Sequence, residues 1–599
     1  MRSFLVAAGL GWIAAAVPVR GGDDADWPMY NRDVAGWRYN TAEKTLSPAN
    51  VGGLVEQWRF PPKGADFKIG VVHGTPAVVG GRVYFGTASD PAFYALNADG
   101  TLKWAYRNPA YAGEKPQPII RPTDPASRNT RFQSAPNGVL GSALVTEDSV
   151  YFGDIGGWFY CLDREMGKER WKVAARGDKF RGRHPFNAFF SSPILADGKV
   201  IVGGGTLEQV IAPVIPLYPA STGRGFVIAF DTKTGKVVWK HDVGPEPRFL
   251  SPPVEVTDGW GPHKFAYGPA TSSVWCTPSF DAESGTVFFG TDVNTGPRQP
   301  TKENPELSTP DSCAVRAINV RDGKLKWNTQ LNSGDVWHNG MCGYDVKTGQ
   351  YKDQSVGDTP KIVTLPVDGA ATKCVGVGCK NGGFYLLRAA NGKIVRHTPL
   401  YKGPPNDPLS PPPDPRTLAL PGVIGGLQTG CATDGRSFFT NGVDAIRLGS
   451  GDHPFRSAIP PTGGRVTATS LDLLTEHWRH ERPKVTLGGP SPKPIFTNAG
   501  DPVASGIALA NGVAYFTTVG SGKLVAVDLA TGKLIKELPL GPVWCGPSVS
   551  NGRVYVGSGN TLFNNYDEEA YFPKRFTGTV FCLGLPSSGA PSGTGIRAD

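Results

Sequence analysis

One short phrase recurs along this chain and limits what it can fold into: an apolar strand, an Asp or Asn, a Thr-Gly-Lys-like turn, then Trp. It reads YALNADGTLKW ending at Trp104, YCLDREMGKERW ending at Trp171, IAFDTKTGKVVW ending at Trp239 and RAINVRDGKLKW ending at Trp327. Weaker copies end at Arg396, Trp478 and Lys536. Strand patterning with Gly turns, repeated every roughly 60 to 90 residues, is the signature of a β-propeller assembled blade by blade. A hairpin pattern precedes each strong copy, as in TPAVVGGRVYFGT, SALVTEDSVYFGD and SSPILADGKVIVGGG, so each unit holds four strands.

Seven such units run in sequence, and an eighth begins at VWCGPSVSNGRVYVGSGN and reaches Leu583 without a Trp-ending strand. The missing strand stands at the other end of the chain, in NVGGLVEQWRF with Trp58. Pairing the two closes the ring and removes two sheet edges. The expected fold is therefore all-β: an eight-bladed propeller of four-stranded antiparallel blades over residues 23–586, closed by an N-terminal strand, with seven blades as the alternative. The Trp at the end of an outer strand has a structural reading, an indole filling the gap between neighbouring blades. That reading covers Trp104, Trp171, Trp239 and Trp327, while Arg396 and Lys536 mark junctions packed differently. The Ser/Gly/Pro-rich tail 587–599 is expected to be disordered.

The 78 Gly and 54 Pro among 599 residues suit short strands, tight turns and long surface loops. A net charge of +9 is spread thinly, with Lys233, Lys236 and Lys240 interleaved with Asp231 and Asp242, which argues against a nucleic-acid surface. Residues 1–22 have the parts of a secretory signal peptide: Arg2, the apolar run FLVAAGLGWIAAAV, then small residues. The run is short for a membrane span, and an uncleaved anchor is the alternative. No other stretch is apolar enough to cross a bilayer, so a soluble periplasmic or secreted protein is expected. Nine cysteines leave at least one thiol unpaired, and Cys374 with Cys379 offers a bridge within one hairpin that sequence alone does not establish. There is no CxxCH, so covalent c-type haem within this chain is not supported. There is no CxxC pair or HExxH for zinc.

The repeats, together with DWPMYNRDVAGWRYN and LSPANVGGLVEQWRF, resemble the pyrroloquinoline quinone (PQQ) dehydrogenases, and the wording "WPM…RYN…LSPANV" is similar to the polyvinyl-alcohol dehydrogenase type. The resemblance implies PQQ at the funnel axis, laid over a Trp beside a calcium ion, with an acidic base taking the proton of an alcohol. Such a chain would be a periplasmic or secreted quinoprotein oxidoreductase acting on a small-molecule or polymeric alcohol. Carried over position by position, it makes Glu208 in GGGTLEQV a calcium ligand, Trp275 in SSVWCTP the quinone platform, and Lys380 in VGCKNGGFYLL a cation for the quinone oxygens. Arg224 in GRGF is a weaker cofactor contact.

Two positions depart from the pattern. GTDVN puts Val293 where the resemblance expects a calcium-binding Asn, leaving Asn294 as the neighbouring candidate. GDVWHNG puts His338 where the base is expected. A His has a pKa suited to accepting the proton but no negative charge to set beside calcium. PASTGRGF also lacks the vicinal Cys pair of the polyvinyl-alcohol type. Trp544 in VWCGPSVS stands in the same place in the last blade as Trp275 does in its own. The alternative function is a non-catalytic PQQ-repeat propeller serving as a binding or assembly scaffold in the cell envelope. Pro-rich inserts, such as LYKGPPNDPLSPPPDPRTLALPG, are expected to cover the funnel or its rim.

Overall fold

The computed structural model describes residues 25–112, 137–178, 180–208, 222–258, 261–268, 272–295, 309–333, 335–337, 344–345, 350–351, 354–400, 425–444, 463–487, 496–559 and 577–586. The leader at 1–22, the tail at 587–599 and most of the long inserts lie outside the described residues. Alternating apolar strands and positive-φ glycine turns produce eight blades of four antiparallel strands, with Asn187–Phe189 added to the third and Tyr39–Asn40 paired in parallel with the seventh. Seven occupy residues 77–107, 144–174, 194–243, 279–330, 361–397, 432–481 and 508–539. The eighth combines Ser548–Ser550, Arg553–Gly557 and Val580–Gly584 with the N-terminal strand Val55–Phe60. Phe60 pairs with Val580 and Val55 with Gly584, so the ring closes as the sequence predicts. Two short 3₁₀ turns stand at Val51–Gly53 and Pro109–Tyr111, and among the described residues no helix is long and apolar enough to cross a membrane.

The recurring Trp and the recurring Gly are two halves of one joint. The indoles of Trp58, Trp104, Trp171, Trp239, Trp327 and Trp478 each lie on the turn glycine of the next blade: Gly100, Gly167, Gly235, Gly323, Gly392 and Gly532. A Cβ on any of these glycines would fall 2.4–2.7 Å from its neighbours, the indole among them. Their φ of +68° to +86° is also strained for any other residue. Each indole N–H donates at 2.9–3.0 Å to a carbonyl of the same turn, from Ala98, Arg164, Thr232, Val320, Ala389 and Leu529 in that order. The two junctions without Trp have a visible cause. The sixth blade's turn has no glycine and places Leu473 at φ +61°, facing the fifth blade that carries Arg396. The eighth blade takes its outer strand from the N-terminus, so no turn follows Leu583 to receive an indole from the strand bearing Lys536.

The segment 27–40 closes one end of the ring by crossing the innermost strands. Trp27 bridges Val78, Pro28 accepts from Val145 N, Val34 from Phe280 N, Ala35 from Ile362 N, Trp37 from Thr433 N and Arg38 from Leu509 N. Asn40 Nδ2 donates to Val549 O at 2.8 Å, and Met29 packs in the cluster of the third blade with Ile194 and Ala196. Arg38, fully buried, donates to the carbonyls of Ile507, Tyr30 and Pro547. Beside it a fully buried ion pair joins Lys361 to Asp358, which also accepts from Gly378 N and Cys431 N and so ties the fifth blade to the sixth.

The eight described cysteines are buried free thiols, so Cys374 and Cys379 do not bridge. They stand five residues apart along one strand and its end, an odd spacing that turns them to opposite faces, into separate core clusters. Cys342 lies outside the described residues.

Candidate functional site at the open end of the ring

In each blade the innermost strand starts at the end opposite the 27–40 plug. Trp275 precedes the strand Ser279–Asp281, and the plug meets that strand at Phe280, five residues further along the chain. Glu208, Asn294 and Lys380 follow the ends of second strands, and Asp335 follows the fourth strand Leu325–Gln330. Antiparallel alternation brings all of these to the same open end.

Four of these chain regions converge on one short segment, Gln354–Asp358, which leads into the fifth blade. Trp275, half-buried, lies against Gly357 so closely that a Cβ there would fall 1.7 Å from the indole. Lys380, 8% exposed, donates its backbone N–H to Ser355 O at 3.1 Å. Ser355 Oγ donates to Asp292 Oδ1 at 2.5 Å. Asp335, fully buried, accepts from Gln354 N at 2.6 Å, and its carbonyl accepts from Asn294 N. The Trp275 indole and the Lys380 backbone thus contact one short segment. The supporting residues Ser355 and Gly357 escaped sequence reasoning, and Asp292 enters it only as the neighbour of Val293. Repeat register holds the signal for Gly357: VWCTP, VGDTP and VWCGP align, so Gly357 takes the place of Trp275 and Trp544 and leaves room for its neighbour's indole. The same register explains the next position, where Cys276, Asp358 and Cys545 accept from Gly290 N, Gly378 N and Gly557 N.

Glu208 sits one blade away, 2% exposed. Its Oε1 accepts from Thr222 N at 2.8 Å and Thr222 Oγ1 at 2.6 Å, and its Oε2 from Gly223 N at 2.8 Å and Thr206 Oγ1 at 3.0 Å. His184 Nε2 lies 2.7 Å from Thr222 Oγ1. Burial pushes the His184 pKa down and keeps the ring neutral. Asn294 turns its amide to Ser272 Oγ and Thr309 Oγ1, and its Oδ1 accepts from Thr309 N at 2.7 Å. The Val293 side chain is buried and contributes no ligand atom. Arg224 pairs with Asp242 at 3.0 Å and reaches Gly244 O, within its own blade. His338 lies outside the described residues.

A family model described as "PQQ: Glucose/ethanol/alcohol dehydrogenase, beta-propeller domain" matches residues 27–404, more than half of the chain. The chain belongs to the PQQ dehydrogenase propeller family. Polyvinylalcohol dehydrogenase of Sphingopyxis sp. (strain 113P3) is 24% identical over 573 residues, covering 91% of this chain and 74% of that protein. Quinohemoprotein alcohol dehydrogenase ADH-IIG of Pseudomonas putida is 25% identical over 381 residues, 62% of this chain and 45% of that protein. Among solved structures, the quinohemoprotein alcohol dehydrogenase of Comamonas testosteroni superposes with a TM-score of 0.62 at 19% identity, over 96% of this chain and 82% of that one. A europium-containing methanol dehydrogenase gives 0.60 at 17% identity, over 94% and 98%. Both share the fold.

The residues of this PQQ-family propeller fit the quinone and not the calcium ion. A partly buried indole resting on a bare glycine offers a flat platform for a planar ring, and Lys380, nearly buried, is tied to the same support through its backbone N–H. Calcium needs six to eight oxygen ligands. Glu208 already fills its four acceptor positions with protein donors, Asn294 Oδ1 has a backbone partner, and the Val293 side chain has no ligand atom. Among the described residues no three His, Cys, Asp or Glu side chains gather into a metal-binding group.

Proposed function

We propose that this protein is a PQQ-dependent oxidoreductase that oxidises an alcohol group, exported to the periplasm or medium by the leader at residues 1–22. The observation that carries this reading is the Trp275 indole lying on Gly357 at the open end of the ring, in the segment to which the Lys380 backbone is also bonded. The chemistry a bound PQQ would supply is an electrophile able to accept hydride from the alcohol carbon. Trp275 gives the planar ring a stacking face, and its position is fixed by Gly357. Lys380 supplies a compact positive charge in a site of low dielectric. His338 takes the hydroxyl proton as hydride leaves, yielding a carbonyl product. Asp335 positions the segment that carries His338: its carboxylate anchors Gln354 N and its carbonyl anchors Asn294 N, three residues before the base. Arg224, held by Asp242, contributes charge at a distance and not a direct contact.

Support for an alcohol substrate comes from family membership and from the names of the relatives, one of which acts on a polymeric alcohol. Electrons leave to a separate acceptor, for which a cytochrome c is the natural class, since the chain carries no CxxCH. Calcium takes no step in this reading. The test is alcohol-dependent dye reduction by the full chain supplied with PQQ, over a panel from small primary and secondary alcohols to polyvinyl alcohol. Activity that falls at least a hundredfold in His338→Ala, with quinone still bound, supports the reading. Unchanged activity in that variant removes His338 from the base role, and failure to retain quinone favours the scaffold reading.

A further inference from the structure

The carboxylate of Glu208 accepts four hydrogen bonds at the open end of the ring, and its donors are fixed in direction. Two are backbone N–H groups, of Thr222 and Gly223, which enter the strand Gly225–Asp231. A third is the Thr222 hydroxyl, and its direction is set by His184. Phe186 N donates to His184 Nδ1 at 3.2 Å, so the ring proton sits on Nε2 and points at Thr222 Oγ1. Thr222 Oγ1 accepts there and must send its own proton on to Glu208 Oε1, 2.6 Å away. The fourth donor, Thr206 Oγ1, belongs to the strand that leads to Glu208 itself.

A carboxylate has about four lone-pair positions, two on each oxygen. Here each oxygen receives two donors. A cation drawing on Glu208 would have to displace the backbone N–H groups of Thr222 and Gly223 from their acceptor, or break the His184–Thr222–Glu208 chain. Breaking a buried hydrogen bond to a charged group costs more than most single interactions return. The arrangement has its own purpose, because Glu208 and Thr222 stand at the two ends of the insert 209–221 and the carboxylate pins its neck.

We infer that Glu208 in this chain is an internal hydrogen-bond acceptor that clamps the neck of the 209–221 insert and is not a cation ligand, and that quinone binding here needs no calcium ion. The second half rests on the PQQ reading above; the first half does not. The positive charge at the quinone end then falls to Lys380.

Calcium titration of the full chain tests the first half without quinone, by calorimetry and by metal analysis after dialysis. No saturable binding tighter than about 1 mM is expected, the weak limit of extracellular calcium modules. Glu208→Gln should lower the unfolding temperature, since its amide NH₂ would face an N–H donor, and leave calcium content unchanged. One bound calcium per chain that disappears in Glu208→Gln overturns the inference. If that variant fails to fold, stoichiometric binding by the unaltered chain overturns it alone. For the second half, PQQ retained after gel filtration should be equal in EGTA and in calcium. Retention only with calcium overturns this half. No retention in either buffer sinks the PQQ reading, and the role of Glu208 is then decided by the titration alone.

Discussion

Replacing Gly357 by Ala changes one methyl group, and the structure fixes where that methyl must go. The new Cβ would lie 1.7, 2.1 and 2.3 Å from the Cη2, Cζ3 and Cζ2 atoms of Trp275. Carbon atoms in contact sit roughly 3.5–4.0 Å apart, so the indole has to move by about 2 Å or rotate away. Gly357 does not need a positive φ, so the backbone tolerates Ala and the damage falls on the ring. Forcing a methyl into a packed site costs roughly 1–3 kcal/mol, which in a chain of this size lowers the unfolding midpoint by a few degrees. Losing the stacking geometry removes roughly 0.5–1.5 kcal/mol from quinone binding, a weakening of about 2- to 10-fold, and a ring turned into the site blocks it further. Quinone binding is read from quenching of Trp fluorescence and from absorbance retained after gel filtration. Gly53→Ala is the control, because its Cβ meets nothing nearer than 3.7 Å. If Gly357→Ala binds quinone as tightly as the unaltered chain, Trp275 is not the platform and the site has been misassigned.

Other consequences follow from the same contacts. Trp239→Ala should destabilise the ring by about 3–5 kcal/mol in urea unfolding, because it empties the joint with Gly323 and removes the donor to Val320 O. Gly323→Ala should act in the same direction, and the two losses should not add, since they break one joint. Acid should weaken the fold through His241, whose pKa is pushed down to about 4, first by burial and then by Arg316. Its Nδ1 donates to Gly323 O, so Nε2 is the bare nitrogen facing the Arg316 guanidinium. A depressed pKa gives stability that is full above pH 6.5 and lost as pH falls towards 4, by up to about 1.4 kcal/mol per pH unit. Arg316→Gln should reduce that acid loss in unfolding midpoints compared between pH 7 and pH 5. Lys361→Met should cost about 3–5 kcal/mol by stranding the Asp358 carboxylate, and Lys361→Met with Asp358→Asn should recover part of it.

The ring was legible because its joint is written twice in every strong repeat, once as Trp and once as the turn Gly. The closing strand was legible because the last repeat lacks what Val55–Phe60 supplies. Trp275 and Lys380 could be picked out by resemblance, and in the structure the Trp275 indole and the Lys380 backbone touch one segment. That support was hidden. Gly357 matters only because the fifth blade lies beside the fourth, a relation that periodicity does not state residue by residue. The role of Glu208 depends on Thr222 and His184, which lie 14 and 24 residues away along the chain. The meaning of DWPMYNRDVAGWRYN was likewise legible only as a signature. In space it crosses the inner strands of the ring, and Arg38 at φ +53° is held there by three carbonyls.

Whether this ring holds PQQ on Trp275, with Lys380 beside it, is decided by equilibrium binding. PQQ is titrated into the purified full chain, the Trp275→Ala variant and the Lys380→Met variant, each first shown folded by its thermal transition. One quinone per chain is expected in the unaltered protein. Each variant should lose at least tenfold in affinity, and the Lys380→Met loss should shrink at high salt. Folded protein that retains no quinone, or equal affinity in all three chains, would refute that placement.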